Sequence, residues 1–136
     1  LETPLRFHFY SMSVATELMR EIAPAKPAVF FVDDTHSEPA YDAEAIGLSN
    51  ARSRPEIANT IWFAYGARDL PHALAHELVH VLSDSGDHSD APDNLLGPET
   101  SPEKKLLTPA QCSRLRTVAE LNGLLAPCAA AAMPRK

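Results

Sequence analysis

The sequence predicts a single α/β domain, layered as α+β, with a small, twisted, mixed sheet, one helix packed on it, a buried second helix and a C-terminal helix. Two observations predict it. Strand-like runs alternate with a helical pattern in the first half of the chain, and two helix signatures follow in the second half. A length of 136 residues and a hydrophobic content of 45% suit one domain, 1–136. Its alanine-rich end, 127–136, is predicted to be a poorly ordered tail.

Four strands and a helix are predicted before the middle of the chain. Runs rich in β-branched and aromatic residues place the strands at 5–10, 28–32, 41–48 and 60–65. The uninterrupted apolar run at 28–32 is typical of a central strand that is covered on both faces. Apolar residues four apart predict a helix over 13–22, with Ser13 as its N-cap.

The next helix is predicted to start from Asp69 as N-cap and to end near Ser83. Its end is indicated by the sequence Ser83-Asp84-Ser85-Gly86, in which Gly86 can adopt a positive φ. Apolar residues occupy most of the helix circumference between these limits, so the helix is predicted to be buried.

A long loop and a last helix complete the chain. Residues 89–109 contain four prolines and no periodic pattern, which is typical of a functional or a mobile loop. In the functional interpretation, Asp93 to Leu96 folds beneath the site on the preceding helix. Thr108 and Gln111 form a predicted capping box, which starts a helix that runs to Gly123 and packs on the preceding helix.

The buried helix carries His76-Glu77-Leu78-Val79-His80, an H-E-x-x-H motif. Residues four apart share a helix face, with Cβ atoms about 5–6 Å apart, so His76 and His80 can bind one Zn²⁺ ion at about 2.0–2.1 Å. Glu77 projects beside that position, where a general base for a zinc-bound water is needed. The alternative is a chance match, although burying these polar groups without partners would be costly.

A catalytic zinc site usually has three protein ligands, and His88 is the predicted third ligand because it follows the turn that ends the helix. The carboxylates that remain open as alternatives are Asp84, Asp87, Asp90, Asp93, Glu99 and Glu103. His72 lies too far along the helix axis to share a compact tetrahedron with His80. It is therefore predicted to lie at the surface or to contact a ligand.

The motif and the residues after it resemble the metzincin zinc peptidases, whose signature is H-E-x-x-H-x-x-G-x-x-H followed by a methionine turn. The chain departs from that signature at three positions. Ser83 stands in place of the glycine, His88 comes two residues late, and Leu96, in Asp93-Asn94-Leu95-Leu96, stands in place of the methionine. The similarity therefore covers the helix more closely than the loop after it.

The resemblance implies a zinc-dependent endopeptidase that hydrolyses protein or peptide substrates with a zinc-bound water and Glu77 as general base. It also implies an edge strand that pairs with the main chain of an extended substrate. By position, the candidate substrate-binding residues are Ala45, Ile46, Gly47 and Leu48.

Composition limits the partners. A net charge of −6 without a basic run argues against nucleic acid, and no apolar run reaches the roughly 18 residues of a membrane span. A monomer is assumed. Cys112 and Cys128 could form a disulfide, which favours a secreted or periplasmic protein, but two free thiols in the cytoplasm are nearly as compatible.

Three other interpretations stay open from the sequence. The same zinc site could hydrolyse a substrate other than a peptide, or the fold could be a binding or effector module with weak or no peptidase activity. A structural protein with a chance motif is the third. Glu77 argues against a pure binding site, because metal binding alone does not need a carboxylate at that position.

Overall fold

The computed structural model of the protein describes residues 12–32, 44–67 and 69–127. This part of the chain forms a small mixed α/β fold. Its helices and strands, in chain order, are α1 (Met12–Ile22), β1 (Ala28–Val32), β2 (Glu44–Ile46), β3 (Thr60–Ala64), α2 (Ala73–Ser83) and α3 (Pro109–Leu121). The predicted strand at 5–10, residues 41–43 of the predicted strand at 41–48 and residues 128–136 of the tail lie outside the described residues.

The three strands form a mixed sheet with β3 at its centre. β1 runs parallel to β3, with Ala28 beside Thr60, whereas β2 runs antiparallel to it, with Glu44 beside Trp62. Every residue of β3 is buried. The predicted mixed sheet is confirmed for this part of the chain.

β1 has the predicted bounds but not the predicted environment. Among the described strands it lies at the edge of the sheet. The side chains of Val29 and Phe31 are 38% and 55% exposed, while Ala28 and Val32 are buried. Among the described residues, the prediction of a central strand covered on both faces is wrong, because Val29 and Phe31 leave the second face of β1 partly exposed, although Phe31 contacts Phe63 edge to face.

Apolar clusters cover the two faces of the sheet. Successive residues of a strand point to opposite faces, so Trp62 packs with Ala15 and Met19 of α1, while Phe63 packs with Val81 of α2. α1 and α2 therefore lie on opposite sides of the sheet. The predicted helix packed on the sheet is confirmed.

A third cluster joins α2 to α3 across the intervening loop. Val79 of α2, Leu95 and Leu96 of the loop are buried together, with Leu115 of α3 packed against them. The predicted packing of the last helix on the motif helix is confirmed. In the ranges that the structure describes, no helix is long and apolar enough to cross a bilayer.

The helix ends show which local signals were correct. Thr108 and Gln111 form the predicted capping box of α3. α2 does not start from Asp69, because residues up to His72 form turns and His72 caps the helix in the left-handed region, with φ 60°. α1 includes Met12, so Ser13 lies inside the helix rather than at its N-cap.

α2 agrees with the predicted buried helix except in the residue that turns the chain at its end and in an exposed side chain in its first turn. α2 ends at Ser83 as predicted, but the residue with positive φ is Asp84, at 45°, rather than Gly86. Six of the eleven residues of α2 are buried, as predicted for this helix, although Leu74 is 39% exposed. Cys112 carries an exposed, free thiol, and Cys128 lies outside the described residues.

Candidate metal centre

The imidazole rings of His76, His80 and His88 converge on one point, and one ligand nitrogen from each lies within 4.8 Å of the others. α2 brings His76 and His80 together because they are one turn apart. Their Nε2 atoms are 2.9 Å from each other. In a tetrahedral zinc site with bonds of about 2.0–2.1 Å, two ligand nitrogens are about 3.3 Å apart, so a small rotation of either ring suffices. The three side chains are close enough to bind a metal ion.

Backbone carbonyls fix the tautomers of the two buried rings. His76 Nδ1 lies 2.8 Å from the Leu95 carbonyl oxygen, and His80 Nδ1 lies 2.7 Å from that of Ser85. A carbonyl oxygen can only accept, so each Nδ1 must carry the hydrogen, and each Nε2 of a neutral ring keeps its lone pair. Two lone pairs therefore face each other at 2.9 Å. A cation between them satisfies both, which is the arrangement typical of metal-bound histidines.

Burial also favours the neutral rings that a metal requires. It is the main cause that lowers the pKa of His76 and of His80 below the usual value. Hydrogen bonds to the two carbonyls oppose this shift. The positive charge of Lys104 lowers the pKa of His76 further, whereas Asp87 acts in the opposite direction on His80.

The carbonyl of Leu95 is held in place by its neighbours. Asn94 is buried, and its amide group pairs with the Gln111 amide at 2.9 and 3.2 Å. Asn94 Oδ1 also accepts from the Leu96 N–H, and the Leu95 N–H donates to the carbonyl of Leu106. The loop segment predicted to lie beneath the site therefore contacts it through Leu95, and the first turn of α3 anchors that segment.

The turn that carries His88 is tied to both flanking helices. The Ser85 N–H donates to the carbonyl of His80, and its hydroxyl donates to Asp87 Oδ2 at 2.7 Å. Arg114 of α3 donates to the same carboxylate at 3.2 Å. These contacts, with the Ser85 hydroxyl first among them, hold the pKa of Asp87 below its usual value. The exposed ring of His88 is thus held beside the two buried ones.

A cavity of about 240 Å³ opens over the histidine cluster. Its walls are formed by Ala45, Gly47, Asn50, His76, Glu77, His80, Ser85, Gly86 and His88. Glu77 thus lies in the same cavity as the three imidazoles. Of the four residues predicted to bind substrate, Ala45 and Gly47 line this cavity. Ile46, the last residue of β2, is buried in the core cluster on the α1 side of the sheet, and Leu48 is 45% exposed and does not line the cavity.

The alternative third ligands make other contacts or lie apart from the described cluster. Asp84 accepts hydrogen bonds from Ser49, and Asp87 binds Ser85 and Arg114. The remaining carboxylates, Asp90, Asp93, Glu99 and Glu103, are exposed. His72 is exposed at the start of α2, at the surface as predicted.

Sequence reasoning did not identify the groups that orient the ligands. The carbonyls of Leu95 and Ser85 have no sequence signal, because every residue carries a carbonyl. Asn94 lies in the segment predicted to fold beneath the site, but its pairing with Gln111 depends on the approach of α3. Asn50 lies in a polar connection that carried no motif.

No family model, curated protein or solved structure matches this chain. A functional assignment therefore depends on the geometry and chemistry of the cluster itself. The three converging imidazoles and the carboxylate beside them are the features that such an assignment must explain.

Proposed function

We propose that the protein is a zinc-dependent endopeptidase with a small, metzincin-like zincin fold, and that His76, His80 and His88 hold the metal. One observation carries the proposal. The Nε2 atoms of His76 and His80 lie 2.9 Å apart with their lone pairs facing each other, because each Nδ1 donates to a backbone carbonyl, and the imidazole of His88 lies beside them. Imidazole nitrogen is a preferred ligand of zinc, and three protein ligands leave one position for a reactant.

Glu77 completes the chemistry of the cavity. A bound zinc ion would supply Lewis acidity, which would lower the pKa of its water to about 7 and polarise a substrate carbonyl. The Glu77 carboxylate takes the proton of the attacking water and gives it to the leaving amine as the peptide bond breaks. Its placement in the cavity wall beside the histidines supports this role.

Peptide is the substrate class that the cavity favours. β2 pairs with β3 along one edge, and Ala45 and Gly47 bring the end of β2 into the cavity wall. An extended peptide beside β2 would place a carbonyl near the histidine cluster, and main-chain hydrogen bonds would bind many sequences. A secreted or periplasmic setting belongs to the same proposal, because the peptidase interpretation favours it.

Metal content tests the first half of the proposal. We expect one zinc per chain by elemental analysis of protein purified without chelators. His88→Ala removes one of three proposed ligands and should weaken zinc binding strongly, whereas His72→Ala, the same change at an exposed histidine outside the cluster, should retain zinc. Protein that holds no zinc under these conditions would rule out the enzyme.

Cleavage of unfolded casein tests the second half. We expect Glu77→Gln to retain zinc and to lose about 10²- to 10⁴-fold in cleavage rate, because the variant keeps the size of the side chain but removes the base. Glu120→Gln, a carboxylate change on α3 away from the cavity, is the control. Zinc binding with no cleavage by the wild-type protein would instead identify a metal-binding module.

A further inference from the structure

The turn after β2 is tied to the end of α2 by one carboxylate. Asp84 Oδ1 accepts a hydrogen bond from the Ser49 N–H at 2.9 Å and another from the Ser49 hydroxyl at 2.7 Å. Asp84 is the residue that ends α2, one turn after His80. The two walls of the cavity, the metal-binding helix and the strand end, are therefore joined directly.

The two walls also approach each other closely at Gly47. A Cβ atom at position 47 would lie 2.6 Å from Asp84 Oδ1, and that oxygen cannot move away without losing both bonds to Ser49. Glycine is thus required for this approach. Asp84 itself adopts φ 45°, a conformation that Asp and Asn tolerate better than most residues.

Asn50 follows Ser49 in this turn and lines the cavity. Its exposed carboxamide carries both donors and an acceptor, the same complement as a peptide group. On its side of the cavity the other lining residues, Ala45 and Gly47, offer only backbone polar groups. Asn50 is therefore the side chain on that wall that can form directed hydrogen bonds.

We propose that Asn50 is a substrate-binding residue that hydrogen-bonds the main chain of the bound peptide, and that Asp84 is a positioning residue that holds Asn50 at a fixed distance from the histidine cluster. For the class of substrate we rely on the function proposed above. Asn50 then determines how tightly a peptide main chain binds, while the metal held by the imidazoles would bind the group that ligates it.

Hydroxamate binding separates these two contributions without any turnover. The probes are N-acetyl-leucine hydroxamate, which has a peptide group, and acetohydroxamic acid, which has only the metal-binding group. By calorimetry on zinc-loaded protein, Asn50→Ala should weaken the first probe about two- to tenfold and leave the second unchanged. Arg52→Ala, an exposed change in the same turn, is the control for both probes. Equal loss for both probes, or no loss for either, would overturn the role of Asn50.

Asp84 is tested by a pair of variants. Asp84→Asn keeps an oxygen that can accept from Ser49 and also tolerates the positive φ, so it should bind both probes as the wild type does. Asp84→Gly tolerates the φ but loses the carboxylate, so it should retain zinc and acetohydroxamate binding and lose affinity for the peptide probe. If Asp84→Gly binds the peptide probe normally, Asp84 does not position Asn50.

The same measurements distinguish a wrong role for Asn50 from a wrong proposal of peptidase activity. Selective loss of the peptide probe in Asn50→Ala, in a protein that cleaves no casein, would support the inference and refute the peptidase. Casein cleavage that depends on Glu77, together with unchanged probe binding in Asn50→Ala, would support the peptidase and refute the inference.

Discussion

Replacing Asn94 with alanine should lower both the stability of the fold and the zinc affinity of the proposed metal centre, although Asn94 is not one of the proposed ligands. Asn94 is 2% exposed, and its amide binds Gln111 twice and the Leu96 N–H once. The half-buried Gln111 amide can keep its bond to the Thr108 N–H and bind water in place of Asn94, but the N–H of buried Leu96 would lose its partner. Leaving one buried donor unsatisfied costs about 1–3 kcal/mol, so the free energy of unfolding should fall by that amount in urea titrations of metal-free protein.

The effect on zinc follows from the adjacent carbonyl. The Leu95 carbonyl accepts from His76 Nδ1 at 2.8 Å, and releasing the segment around it frees that ring to rotate. Loss of such a supporting contact typically costs about 10- to 100-fold in metal affinity. The assay is a competition titration of zinc against a chromophoric chelator.

The control for this experiment is Asn122→Ala, because the described hydrogen bonds of Asn122 come from its backbone N–H at the end of α3. That variant should bind zinc as the wild type does. Unchanged zinc affinity in a folded Asn94→Ala protein would refute the idea that the α3 anchor orients His76.

Three further changes test other parts of the fold. Thr108→Ala removes the acceptor for the Gln111 N–H and should cost about 0.5–2 kcal/mol of unfolding free energy, measured in urea. Arg114→Ala should cost under about 1 kcal/mol, and less at high salt, since Arg114 and Asp87 are 55% and 78% exposed. The free energy of unfolding of metal-free protein, measured in urea at several pH values, should be constant above about pH 6.5 and fall below it. Below that pH the histidines of the unfolded chain bind protons, whereas His76 and His80 of the folded protein, whose pKa values are lowered, stay neutral.

For each of these three predictions, one result would contradict the stated cause. Thr108→Ser keeps the hydroxyl and should be near wild type; equal loss in both variants would mean that the cap is not the cause. A loss in Arg114→Ala that persists in 1 M salt would point to packing rather than charge. The pH dependence should survive in His72→Gln, and an equally steep dependence after both His76 and His80 are replaced would assign it to other groups.

Local signals in the sequence predicted the elements whose causes are local. The apolar run of β1, the capping box at Thr108 and the i, i+4 spacing of His76 and His80 each depend on residues within a few positions of one another. The start of α2 was missed because Asp69 is a good cap by type, whereas the chain adopts a left-handed residue at His72 before the helix begins.

Contacts between particular residues of distant chain segments could not be predicted. An apolar run such as β1 has the same composition at an edge as at the centre of a sheet, and the two differ in whether strands pair on one side or on both; among the described strands, β1 pairs with β3 alone. The Ser49–Asp84 contact spans 35 residues, and no local pattern around either residue indicates that the two would pair. Similarly, His88 could be proposed as a ligand from its place after a turn, but its position depends on contacts of that turn with α3.

The short stretch of chain that contains the histidine cluster has a consequence for the order of folding. All three rings belong to residues 76–88, whereas pairing β1 with β3 brings together residues about thirty positions apart. Closing a loop of about ten residues takes on the order of 10–100 ns, far less than sheets built from distant strands require. If zinc is present during refolding, we therefore expect residues 76–88 to bind it first. The sheet and the contacts of α3 with the loop would then form around the bound metal.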